Sequence, residues 1–138
     1  MFDRKFRRSI LNINEMVIIL QDKGIEIRNI TFNDIPFSEQ VRIFSETSTL
    51  FSIHGAHLIN IIFMHPYTSV VEVFNPYFYF DCYKRIAAAA QINHIAINNT
   101  IIEPSSIERS KNAWQPYINV DVNLNLTTTI PIVLDAIH

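Results

Sequence analysis

The sequence predicts an α/β sandwich built on a mainly parallel sheet. Two observations carry that prediction. Helix-like apolar spacing and strand-like alternation take turns about four times along the chain, which is the pattern of parallel strands joined through helices. The chain has 138 residues, 49% of them hydrophobic, without an internal repeat or linker that would split it. That is enough for one domain, spanning 1–138, with its own core.

The elements follow in order. Asn12 to about Asp22 reads as a helix, with Asn12 and Glu15 as a capping pair, Met16, Ile19 and Leu20 as its apolar stripe and Gly24 ending it. Ile25-Glu26-Ile27-Arg28-Asn29-Ile30 alternates strictly and reads as a strand. After the turn at Ile35-Pro36-Phe37, Ser38 caps a helix running from Glu39 to about Glu46, with Glu39 and Gln40 as its start. Leu50–His54 is a short apolar strand that ends at Gly55.

Ala56–Met64 has helical spacing and stops at His65-Pro66. Ser69–Phe74 is a β-branched strand closed by Asn75-Pro76. Phe80 to Gln91 reads as a helix whose alanines, Ala87–Ala90, permit close packing on a sheet, and His94–Ile97 is another strand. Ile101 to Pro116 is irregular, Ile118–Val122 alternates, and Leu126–Ile137 is a last helix, weakened by its threonines and by Pro131.

The net charge of −2 argues against a partner held by bulk charge, so nucleic acid is not expected. A local anion site remains open, because a helix N-terminus can hold a phosphate without a charged surface. No apolar run reaches the length of a membrane span, and no targeting segment is visible. A single cysteine, Cys82, leaves no internal disulfide and no cysteine zinc site, and reads as packing.

The residues with the most chemistry sit at Ser52-Ile53-His54-Gly55-Ala56, where a strand hands over to a helix. Gly55 and Ala56 leave the backbone bare, and the following helix aims its amides at the same spot. Such a corner suits a diphosphate, with His54 donating to a phosphate or a sugar hydroxyl. The alternative is a small-residue turn that only packs a helix on a sheet. His54, His57 and His65 raise the idea of a metal site, but no Asp, Glu or Cys lies among them to complete a ligand set, so no metal is expected.

Asn60, well into the helix, is by itself an ordinary polar position. Glu72 is more telling, as a carboxylate inside Val70-Val71-Glu72-Val73. If buried it needs partners, either amides or ligand hydroxyls; otherwise it faces solvent at a sheet edge. Arg4, Lys5, Arg7 and Arg8 form a basic cluster that either clamps phosphates or is a solvated terminus.

In chain order these pieces resemble glycosyltransferase family 61. Arg8 to Glu15 is similar to its R-x-I-x-N-x-x-E helix start, and Phe37-Ser38-Glu39-Gln40 to its F-x-E-Q segment. His54-Gly55-Ala56-His57-Leu58-Ile59-Asn60 with Phe63 to Pro66 resembles H-G-A-G-L-T-N … F-x-x-P. Val70-Val71-Glu72-Val73 before Pro76 resembles V-V-E-I-x-P, and the helix after Tyr83 resembles Y-x-x-L-A-x-x. His57 and Ile59 depart from the pattern.

The resemblance implies a Rossmann-like three-layer sandwich, the donor-binding half of a two-domain fold of the glycosyltransferase B type. It implies an inverting transferase taking a nucleotide-sugar, a UDP-sugar above all, for transfer to a protein or glycan acceptor. His54, Gly55, Ala56, Asn60, Glu72 and Arg8 would then line the donor-nucleotide site. No catalytic residue can be assigned and no metal cofactor is required. The acceptor-binding half is expected to lie outside this sequence, so the isolated chain is expected to transfer little and to dock a further domain or a second copy. A secretory lumen is implied if the source is eukaryotic. The other reading is a truncated, non-catalytic nucleotide-binding or interaction module.

Overall fold

A computed structural model describes residues 8–107 and 119–138. Arg4, Lys5, Arg7, Ile118 and the later part of the expected irregular stretch lie outside the described residues.

Three parallel strands form the centre: β1 (Thr49–Ile53), β2 (Ser69–Val73) and β3 (Asn93–Ile97), in that spatial order. Their registers pair Ser52 with Glu72 and Glu72 with Ala96. Alternation along the strands divides the core into two layers. Val71, Val73 and Ile97 turn to one face, against Met16 and Leu20 of α1 (Ile13–Asp22) and Ile130 and Val133 of α4 (Leu126–Ile137). Val70 turns to the other, against Phe44 of α2 (Phe37–Ser45), Leu58 and Ile61 of a helix at Ala56–Phe63, and Ala87 of α3 (Cys82–Ala89). Every residue of β2 is buried, as expected of a central parallel strand. The expected α/β sandwich with a mainly parallel sheet is therefore present. A small antiparallel pair, β4 (Ile101–Ile102) with β5 (Val122–Asn123), lies beside it.

Four details differ from the sequence expectations. Ile25–Ile30 forms no strand. Its alternation still sorts the side chains, since Ile25 and Ile27 pack on the core while Glu26 is exposed. This stretch and β1 both line a cleft of about 640 Å³. Burial set the periodicity there, not pairing.

The segment Ala56–Phe63 is a 3₁₀ helix, not an α-helix, with i+3 bonds from Leu58 N–H to the Gly55 carbonyl and from Met64 N–H to the Ile61 carbonyl. Eight residues cover about 12 Å as α-helix but about 16 Å as 3₁₀, close to the length of the five-residue strand β1.

Asn12 does not cap α1 with its side chain, which instead bonds Leu124, through Nδ2 to the carbonyl at 3.0 Å and through Oδ1 to the amide at 2.8 Å. Ser38 does not cap α2 either, because that helix already starts at Phe37 with Pro36 before it. Pro131 lies inside α4, which runs through it.

Candidate functional site

The site is built from the carboxyl end of the sheet. Glu72 shares a face with Val70, and on that face β1 and β3 bring up their own even-numbered residues. Glu72 is fully buried and stands between two imidazoles. Its Oε1 lies 2.5 Å from His54 Nδ1 and its Oε2 lies 2.6 Å from His94 Nε2. Both oxygens of a carboxylate that burial alone would disfavour are thus given donors. Burial pushes the Glu72 carboxyl up, but the hydrogen bonds and charges of His54 and His94 outweigh it and hold it below its ordinary value. Glu72 is an anion, and not the solvent-facing edge residue that the sequence left open.

His54 follows β1 and is continuous with it, its amide donating to the Val73 carbonyl at 2.9 Å. Its ring sits among Phe74, Phe78, Phe80 and Tyr83, with centroids 5.1 to 6.3 Å away, and it is 8% exposed. Ala56 is exposed and Gly55 half-buried, so the backbone corner is open.

Gly55 is extended (φ −179°), a conformation any residue adopts. What would crowd a side chain there is the His57 ring: a Cβ would stand 3.0 Å from its Nδ1 and 3.1 Å from its Cε1. The His57 Nε2 lies 2.6 Å from Ser52 Oγ, and the ring stacks on Phe32. Burial, with the positive charge of Arg8 adding to it, pushes the His57 imidazole down to about 4. His57 is therefore neutral near pH 7.

Arg8 reaches the same end of the sheet, its guanidinium carbon 5.8 Å from the centre of the Phe78 ring that packs on His54. Asn60 does not join this group. It is buried and its Nδ2 donates to Gln40 Oε1 at 3.0 Å, while Gln40 Nε2 donates to the Ile35 carbonyl at 2.9 Å, tying the 3₁₀ helix to the start of α2. Glu39 pairs with Arg42 at the surface. Burial, followed by the charge of Glu72, pushes the Cys82 thiol up, which keeps it protonated and unreactive.

His57 and His65 do not gather with His54 around a common point: His57 turns to Ser52 and His65 is exposed. Among the described residues no group of three or more His, Cys, Asp or Glu is arranged to hold a metal ion. Also among them, no helix is long and apolar enough to cross a membrane.

Sequence reasoning missed His94. Its signal was an imidazole opening the short run His94-Ile95-Ala96-Ile97, at the same strand parity as the carboxylate. Only the register, which sets His94 opposite Val70, one pleat from Glu72, turns that parity into a contact.

An open strand-to-helix corner at the carboxyl end of a parallel sheet is the place where α/β folds commonly bind their ligands. Comparison with known proteins narrows the class. A family model described as Glycosyltransferase 61 matches residues 1–71. Protein O-linked-mannose beta-1,4-N-acetylglucosaminyltransferase 2 of Bos taurus is 32% identical over 120 residues, covering 82% of this chain and 20% of that protein. The protein of the same name from Xenopus laevis is 30% identical over 122 residues, covering 83% and 21%. That from Tetraodon nigroviridis is 31% identical over 121 residues, also covering 83% and 21%. The chain belongs to glycosyltransferase family 61. It spans about a fifth of the length of the curated relatives it matches.

Proposed function

We propose that this chain carries the donor site of a glycosyltransferase and that the donor is a nucleotide-sugar, with a UDP-sugar as the first candidate. The observation that carries the reading is the His54–Glu72 pair, buried at the carboxyl end of the central sheet and adjoining the open backbone at Gly55-Ala56. The amides opening the 3₁₀ helix, with their positive dipole end, suit the diphosphate. Arg8 lies close enough to add positive charge. Helix dipole and arginine together would neutralise the phosphates without a metal ion. His54 and Glu72 would face the ribose or sugar, and Asn60 would brace the helix that forms the corner. Transfer would proceed with inversion to a protein or glycan hydroxyl. The relatives' names specify N-acetylglucosamine transfer to O-linked mannose, which makes UDP-N-acetylglucosamine the first donor to try.

Calorimetric titration with UDP and UDP-sugars tests this. Saturable binding is expected in the wild type. Ala56→Asp puts a carboxylate on the exposed first residue of the 3₁₀ helix, where it costs the fold nothing. It should weaken UDP binding on the order of tenfold through charge repulsion. No saturable heat with any uridine nucleotide would sink the reading. One observation favours the second reading, a degenerate module without transfer: His57 stands where the family pattern has glycine, and its ring covers Gly55. His57→Gly separates the two. A wild type that binds no UDP beside a His57→Gly variant that does would identify a blocked site.

A further inference from the structure

Glu72 has two imidazole partners, and only His54 lies at the open corner. Both side chains are largely covered, 10% exposed for His54 and 6% for His94, but His94 lies on β3, away from the backbone at Gly55-Ala56. Its role follows from counting hydrogens. An ionised carboxylate only accepts. With Glu72 ionised, the hydrogen at each contact therefore belongs to the ring, to Nδ1 of His54 and Nε2 of His94. A neutral imidazole carries one N–H, so neutral His54 presents a lone pair at Nε2. No described residue bonds that nitrogen.

We propose that His94, acting through the Glu72 carboxylate, fixes His54 in its Nδ1–H tautomer and thereby makes His54 Nε2 an acceptor for a hydroxyl of the bound nucleotide-sugar. The inference rests on the donor-site reading above and deepens it, because it assigns His54 to a hydroxyl and not to a phosphate. A phosphate oxygen has no hydrogen to give, so it cannot bond a bare imidazole lone pair, whereas a ribose or sugar hydroxyl can. His94 is a positioning residue. Without it Oε2 is buried and unsatisfied, and the least costly repair is for Glu72 to take up a proton. A protonated carboxyl can donate to His54 Nδ1, which moves the imidazole hydrogen to Nε2 and reverses the sense of the contact.

Nitrogen-15 NMR of the histidine side chains at pH 8 reads the tautomer directly, with single-histidine replacements assigning the signals. The wild type is expected to show His54 protonated at Nδ1. His94→Gln sets an amide donor near the place of Nε2 and should retain that tautomer. His94→Phe, which keeps a ring and removes the donor, should shift His54 towards Nε2–H. An Nε2–H form in the wild type overturns the proposal, as does a tautomer indifferent to His94→Phe.

Calorimetry then distinguishes the sources of the hydroxyl. Deoxyribose analogues of UDP binding on the order of tenfold more weakly than UDP to the wild type, but equally to His54→Asn, assign a ribose hydroxyl. Asn keeps a donor towards Glu72 while removing Nε2. If only the gain of a UDP-sugar over UDP vanishes in His54→Asn, the hydroxyl is on the transferred sugar. Nucleotide binding unaffected by His54→Asn in both comparisons overturns the contact. A wild type with the Nδ1–H tautomer that binds no uridine nucleotide refutes the donor-site reading and the hydroxyl contact with it.

Discussion

Asn12 holds Leu124 by both of its backbone polar groups. The side-chain amide donates to the Leu124 carbonyl and the side-chain oxygen accepts from the Leu124 amide, across 112 positions of sequence. Leu124 is buried, so neither group has water as an easy substitute. Asn12→Ala orphans both and should destabilise the fold by roughly 2–4 kcal/mol. Asn12→Asp keeps the acceptor for the Leu124 amide but sets a carboxylate oxygen against the Leu124 carbonyl, so it should destabilise as well. Urea unfolding followed by circular dichroism measures both, and an Asn12→Ala midpoint within error of wild type would contradict the pairing.

The His57 imidazole makes stability depend on pH. Its folded value of about 4 lies below its ordinary 6.5, so between those values the unfolded chain binds a proton that the folded chain refuses. Stability is then full above about 6.5 and falls as pH drops towards 4, by up to roughly 3 kcal/mol. His57→Phe retains a ring over Phe32 and cannot titrate. Its stability curve should be flatter than wild type across that window. Parallel curves for the two proteins would show that His57 titrates normally in the fold.

Thr129 is fully buried in α4, and its hydroxyl finds no hydrogen-bond partner among the described residues. Thr129→Val replaces the stranded oxygen with a methyl group of similar shape. It should raise stability by about 1 kcal/mol, read as a higher denaturation midpoint at unchanged slope. A loss of stability would mean that the hydroxyl is satisfied in solution.

The sequence made the sheet legible because β1, β2 and β3 are short β-branched or apolar runs bounded by breakers. It misread Ile25–Ile30 because alternation reports which side chains are buried and is blind to whether a neighbouring backbone accepts the ladder. It misread Ala56–Phe63 because apolar spacing over eight residues fits both helix types. At the site, Glu72 could be singled out by the cost of burying a charge and His54 by its place after a strand. His94 could not be found, since nothing local ties a residue 22 positions away from Glu72 to the same carboxylate. Asn12 illustrates the same limit: its residue type suits a cap, and its actual partner was invisible without the fold.

The strands lie side by side in the order in which they are made, and this has a consequence for synthesis. By Ile97 a nascent chain has everything needed to finish the sheet and the layer of α2, the 3₁₀ helix and α3. The opposite side of the sheet, with Val71, Val73 and Ile97, also requires Val120, Val122 and α4. Until those residues leave the ribosome, that side of the sheet has α1 to cover it but neither Val120 and Val122 nor α4. Apolar surface left uncovered during such an interval is where aggregation begins.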